Sequence, residues 1–165
     1  MTDPTGLISP GWPAPDFQLP ATPDGRRTGP GDHRGRPVVL AFYPADWSPV
    51  CGDQMALYQA AMPELDRYGA VVLGISVDSL WSHRAFAASQ GIDFPLLSDF
   101  EPKGEVARAY GAYTTRGEAA RALVVLDPDG RVTWSHLSPN DVNPGVDGIL
   151  DALQRLTDER RVMAR

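Results

Sequence analysis

The chain carries one cysteine, Cys51, and it stands where a cysteine can be reactive. The run around it reads Phe42-Tyr43-Pro44-Ala45-Asp46-Trp47-Ser48-Pro49-Val50-Cys51-Gly52-Asp53-Gln54. Ser48 is a good N-cap and Pro49 suits a first helical position, so the spacing predicts a helix with Cys51 as its third residue. The first N–H groups of a helix have no intrahelical acceptor, and with the helix dipole they stabilise an anion. A thiolate at Cys51 is such an anion, and the thiolate is the nucleophilic form of cysteine. Ser48 is expected to accept a bond from the Cys51 amide while donating its hydroxyl proton nearby. Asp46 and Asp53 oppose this chemistry, because a carboxylate close to sulfur disfavours its ionisation. Thiolate chemistry therefore requires both to turn outward, with a cation nearer than either.

The cysteine count removes other chemistries. One thiol excludes a disulfide framework, a C-x-x-C redox pair and a cysteine-rich zinc site within the chain. His33, His83 and His136 are widely spaced, show no metal-ligand pattern, and read as structural or exposed. No metal site is expected from these residues. The competing reading of Cys51 is an inert buried thiol, the usual fate of a lone cysteine. Ser48 alone reads equally as a plain helix cap, and Pro44 as a strand terminator. Gln54 shares a helix face with Cys51 and could pair with another polar side chain or face solvent. Tyr43 reads as core or dimer packing. Trp47 reads either as packing or as part of a partner surface beside the thiol.

The elements that must hold this segment follow from periodicity. Asp16–Leu19 and Arg26–Thr28 are predicted as short strands about the turn Pro23-Asp24-Gly25. The apolar run from Pro37 to Tyr43 reads as a central strand buried on both faces. The helix from Ser48 is predicted to continue to about Gly69 on Met55, Tyr58, Met62 and Leu65. Ala70–Val77 is a second buried strand, Leu80–Gln90 a helix stopped by Gly91, Phe94–Leu97 a strand and Pro102–Tyr110 a helix. Arg121–Leu126 and Arg131–Ser135 form a hairpin through Asp127-Pro128-Asp129-Gly130. Asn143-Pro144 opens a last helix burying Ile149, Leu153 and Leu156, and Asp158–Arg165 reads as a frayed end. The order predicts a mixed α/β sheet with helices on both faces. A thioredoxin-like layout fits, and periodicity alone also allows a small flavodoxin-like sheet.

Composition sets the outer bounds. The chain has 165 residues, 42% hydrophobic and 22% charged, as expected for a single globular domain over 1–165. The net charge is −6 and the basic residues form no stripe, which argues against nucleic acid as a partner. Fourteen of the 15 basic residues are arginine, so an arginine alone signals little. Apolar runs such as Ala70–Ile75 are too short to cross a bilayer. Met1–Pro10 has an early Asp3 and no apolar signal core, so a cytoplasmic location is expected.

The segment resembles the peroxiredoxin active-site motif, Pro-x-x-x-Thr/Ser-x-x-Cys, matched by Pro44, Ser48 and Cys51. Gly74-Ile75-Ser76-Val77-Asp78-Ser79 and Phe94-Pro95-Leu96-Leu97-Ser98-Asp99 match the wider pattern, in order. Arg121 opens an apolar strand where that family carries its active-site arginine; its competing reading is a surface charge. The resemblance implies a thioredoxin fold and reduction of hydroperoxides, with Cys51 attacking the peroxide and becoming a sulfenic acid. It implies that Arg121 and Ser48 bind thiolate and peroxide and that Pro44 shields the pocket. Serine replaces the usual threonine and is freer about χ1. Without a second cysteine the chain resembles one-cysteine members, of the alkyl hydroperoxide reductase E or bacterioferritin comigratory protein kind. An external thiol is then required: thioredoxin, a glutaredoxin-like protein or a low-molecular-weight thiol. A homodimer is expected by analogy. A non-enzymatic peroxide sensor using the same thiol is the alternative, and a scaffold with dead chemistry a third.

Overall fold

The computed structural model describes residues 6–164. Part of the leader reading of Met1–Pro10 therefore lies outside the described residues.

The apolar runs form one five-stranded sheet. Its strands are β3 (Val38–Phe42), β4 (Val71–Ser76), β5 (Leu96–Ser98), β6 (Arg121–Leu126) and β7 (Val132–Ser138), in the order β5-β4-β3-β6-β7. All five residues of β3 are buried, because it sits between β4 and β6 and is covered on both faces. β3, β4 and β5 run parallel, while β6 and β7 join antiparallel. Two antiparallel pairings remove the flavodoxin-like alternative, and the mixed order is the thioredoxin-like one. A separate two-stranded ribbon pairs β1 (Leu19–Pro20) with β2 (Arg27–Thr28) around the predicted turn, its first arm starting three residues later and ending one residue later than expected.

The alternation of side chains along β3 separates two cores. Val39 and Ala41 face one side with Val72, Leu123 and Val125. There they meet α1 (Pro49–Ala60), α3 (Leu80–Gln90) and α5 (Asp147–Met163) through Met55, Tyr58, Phe86, Ile149 and Leu153. Val38, Leu40 and Phe42 face the other side, against α4 (Glu105–Ala109) and the N-terminal segment at Leu7, Ile8 and Leu19.

The predicted single helix to Gly69 is two. α1 ends at Ala60, and α2 (Met62–Asp66) begins with Pro63 in its first turn. A proline inside a continuous helix loses one hydrogen bond and collides with the carbonyl four residues back, so the chain turns before it. The helix predicted from Pro102 starts at Glu105, where Asp99 accepts the Val106 and Ala107 amides. The last helix starts at Asp147 because Asn143 accepts the Gly145 amide in a local turn. The C-terminal end is helical through Met163, correcting the frayed reading, and β5 ends one residue beyond the predicted strand.

Topology positions the thiol. The antiparallel register pairs Phe42 with Ala122. Arg121 therefore lies beside the point where β3 gives way to the loop leading into α1. A contact spanning 70 residues of sequence follows from one strand pairing.

Candidate active site

Cys51 is the third residue of α1, as predicted, and its side chain has no exposed surface. Arg121 is 1% exposed and points Nη2 at Cys51 Sγ, 3.3 Å away. Three further bonds fix the guanidinium. Nη1 donates to Gln54 Oε1 at 2.7 Å, and Nε and Nη2 both donate to the Asn140 carbonyl at 3.0 and 2.9 Å. Gln54 is itself held, because its Nε2 donates to the Tyr58 hydroxyl at 2.8 Å and Tyr58 donates to the Gly145 carbonyl. Burial pushes the Tyr58 hydroxyl up to about 12, against a smaller lowering by Gln54 and Arg121, so it stays a neutral donor.

These partners of Arg121 are one backbone carbonyl, a side-chain amide and a sulfur. Among the described residues no carboxylate lies within 4.0 Å of its guanidinium. A buried charge without a counter-ion is strongly unfavourable, on the order of 3–5 kcal/mol when a buried pair loses one partner. Among the described residues Cys51 Sγ is the one hydrogen-bond partner of Arg121 able to bear a negative charge, and it lies at the start of α1, where backbone amides are free of intrahelical partners.

Ser48 is the N-cap by backbone, with φ −65° and ψ 135°, but it makes no side-chain capping bond. The expected bond from the Cys51 amide to Ser48 is therefore absent, and no hydroxyl ties Ser48 to Arg121. The first helical bond runs instead from the Gly52 amide to the Ser48 carbonyl, at 2.9 Å. Pro44 is buried in the same loop. Trp47 has φ 70°, a left-handed conformation that costs a bulky residue about 1–3 kcal/mol. Its indole is 54% exposed and stacks edge-on against Phe86.

The two nearby carboxylates go separate ways. Asp53 faces solvent, as required. Asp46 does not: it is 6% exposed and turned into the protein. Its carboxylate accepts from the Tyr43 hydroxyl at 2.7 Å and the Ser82 hydroxyl at 2.9 Å, and lies 2.7 Å from His83 Nδ1. Asp46 turns not to solvent but into a second pocket, where Tyr43, Ser82 and His83 hold it. His83 Nε2 lies 3.0 Å from the Leu97 carbonyl. Asp78 accepts the Asp46 amide and the Ser76 hydroxyl. Burial pushes the Asp78 carboxyl above the usual range, and those bonds work the other way. Asp46, Asp78 and His83 each offer one ligand atom within 4.8 Å of the others, but these atoms are already engaged in the bonds just given.

Sequence reasoning missed Asn140, Tyr58 and the Asp46–His83 pair. Tyr58 follows Cys51 by seven residues, a helical repeat that signals a shared face. Ser76-x-Asp78 and His83 had signals too, since Ser79 caps α3 and puts His83 one turn in. Asn140 contributes only its carbonyl, which any residue has, so nothing marked it. A surface cleft of about 570 Å³ is lined by Thr22, Pro23, Arg84, Ala87 and Ile92 and does not include Cys51. The thiol site is a closed one.

A thioredoxin-like sheet with a buried thiol at a helix start, facing a fixed guanidinium, defines a protein of thiol redox chemistry. The AhpC/TSA family profile matches residues 10–135. Peroxiredoxin Bcp of Xanthomonas campestris is 34% identical over 152 residues, covering 86% of this chain and 92% of that one. Alkyl hydroperoxide reductase E of Mycobacterium tuberculosis is 31% identical over 138 residues, covering 82% and 90%. The solved structure of Mycobacterium tuberculosis AhpC superposes with a TM-score of 0.82 at 26% identity, covering 92% of this chain and 99% of that one. The chain belongs to the AhpC/TSA family and is a peroxiredoxin, a thiol-dependent peroxidase with a single cysteine. No helix among the described residues is long and apolar enough to cross a membrane.

Proposed function

We propose that Cys51 is the peroxidatic residue and that Arg121 is its charge partner, with Ser48 and Pro44 completing the site. The observation that carries this reading is a buried guanidinium whose one anionisable hydrogen-bond partner among the described residues is the Cys51 sulfur. The thiolate attacks the terminal peroxide oxygen. A sulfur–oxygen bond forms, the oxygen–oxygen bond breaks, and the departing alkoxide or hydroxide takes a proton to leave as alcohol or water. Sulfur is oxidised to sulfenic acid and the peroxide is reduced. Four guanidinium hydrogens serve the bonds already described, which leaves one Nη1 hydrogen for a peroxide oxygen. Ser48, whose hydroxyl is not committed to the cap, is free to turn toward that oxygen. Pro44 excludes water from the sulfur. The chemistry calls for no metal or organic cofactor, since sulfur takes the electrons.

The sulfenic acid is resolved by a thiol from another molecule: thioredoxin, a glutaredoxin-like protein or a low-molecular-weight thiol. That thiol displaces hydroxide as water and forms a mixed disulfide, and a second thiol returns Cys51. Because the sulfur is buried, the resolving thiol reaches it by local displacement of the chain that covers it. The chain works as one domain, as a homodimer and in the cytoplasm on this reading. The test is steady consumption of hydrogen peroxide or cumene hydroperoxide with a thiol supply. Cys51→Ser is expected to abolish it, and turnover that survives the substitution would falsify the assignment.

A further inference from the structure

The site uses only one side of the loop between β3 and α1. The other side is fixed by groups that the peroxide chemistry does not employ. Asp46, two residues after Pro44 and two before Ser48, sends its side chain away from solvent into a pocket built by three elements. Tyr43 directly follows the central strand, Ser82 and His83 lie on α3, and Asp78 lies in the turn before α3.

Hydrogen counting shows how this pocket holds the loop. The Leu97 carbonyl only accepts, so His83 Nε2 carries a hydrogen. His83 Nδ1 and Asp46 Oδ2 are 2.7 Å apart, which needs one proton between them. The pair then has no net charge, whichever atom holds that proton. Tyr43 and Ser82 supply two more hydrogens to the same carboxylate, and the Asp46 amide is taken by Asp78. The loop is thus tied at one residue, through side chain and backbone, to Tyr43 just past β3, to α3 and to the turn between β4 and α3. The next residue is Trp47, held in the left-handed conformation and braced on Phe86, also of α3.

We propose that Asp46 and His83 form a proton-sharing clamp, positioning residues that close the Pro44–Ser48 loop over Cys51 in the geometry peroxide requires. The clamp acts on the wall of the pocket and not on the charge of the sulfur, which Arg121 and the α1 amides set from the opposite side. Its loss should therefore impair reaction with peroxide while leaving the thiolate reachable, or more reachable, by a reagent that needs no organised pocket.

The inference rests on Cys51 being the peroxide-reactive thiolate, and the experiment separates the two. Rate constants for hydrogen peroxide and for iodoacetamide are measured on reduced wild type, Asp46→Asn, His83→Asn and the double variant. The readout is the ratio of the peroxide rate constant to the iodoacetamide rate constant, which a general loss of stability does not lower. A drop of about tenfold or more is expected in each single variant, consistent with the loss of one charge-assisted hydrogen bond. No further drop is expected in the double variant, because the two residues act as a unit. A ratio within twofold of wild type, or losses that multiply, overturns the clamp. Tyr43→Phe keeps the ring and removes one hydrogen from Asp46; if Asp46→Asn does not fold, a smaller drop in the same ratio is expected there, and an unchanged ratio again overturns the clamp. Wild type that ignores peroxide yet alkylates overturns the assignment of Cys51 and the clamp with it.

Discussion

Two buried polar clusters flank the same loop, and they differ in one respect. In the first, the Asp46 carboxylate faces the His83 imidazole at 2.7 Å, and one shared proton leaves that pair without net charge. In the Arg121 cluster the guanidinium is held by four bonds, none of them to a carboxylate. Both clusters satisfy their buried polar atoms. The first is closed electrostatically and so serves architecture. The second is left one negative charge short, and that shortfall faces the sulfur. Hydrogen bonding alone does not distinguish a structural network from a reactive one; the charge balance does.

The largest test of this contrast is Arg121→Ala. It removes the cation and one donor, and peroxide oxidation of Cys51 is expected to slow by roughly 10²–10³, the range seen for a single charge-stabilising donor. The thiolate fraction at neutral pH should fall in parallel, read from its ultraviolet absorbance. Asp46→Asn should leave that fraction in place. Equal changes in both variants would erase the distinction between the clusters.

Gln54→Ala sharpens the picture next. It removes the 2.7 Å acceptor that aims Nη1 while keeping the charge. A loss of about fivefold in oxidation rate is expected, corresponding to about 1 kcal/mol for one buried hydrogen bond. A loss equal to that of Arg121→Ala would mean that orientation, and not charge, carries the effect.

Ser48→Ala should matter less to folding than a cap residue usually does. Loss of a bonded cap costs about 0.5–2 kcal/mol, but Ser48 makes no such bond here. Urea unfolding is expected to give less than about 0.5 kcal/mol of change, with peroxide oxidation nevertheless slowed. A full capping loss would show that the hydroxyl is committed to the helix.

The smallest effect concerns Tyr58. Its folded-state value, raised from 10.0 to about 12 by burial, means that the native chain keeps a proton which the unfolded chain releases. That contribution is fully present below about pH 10 and is lost as pH rises toward 12. In Tyr58→Phe the decline of stability between those limits should be shallower than in wild type. Identical slopes in pH-dependent unfolding would remove Tyr58 from the list of buried neutral donors.

Much of this arrangement was legible in the residues. The five strands, the hairpin and the helix starting at Pro49 follow from apolar runs, caps and turn residues, which act over a few positions. The third-residue placement of Cys51 is local in the same way. The break at Met62–Pro63 was available from the proline but was outweighed by the apolar period across it. The direction of Asp46 was not legible, because it depends on His83, 37 residues away. The Asn140 carbonyl was illegible, since a backbone acceptor carries no residue signature. The pairing of Phe42 with Ala122 turns such local features into a site, and only the strand register reveals it.

The central claim is that the Cys51 sulfur is the missing counter-ion of Arg121. The direct measurement is the 240 nm absorbance of reduced wild type minus that of Cys51→Ser, at neutral pH and again in Arg121→Ala. The account expects one thiolate per chain in wild type and a clear loss of that signal without the guanidinium. A wild-type difference spectrum with no thiolate, or one that Arg121→Ala leaves untouched, contradicts it.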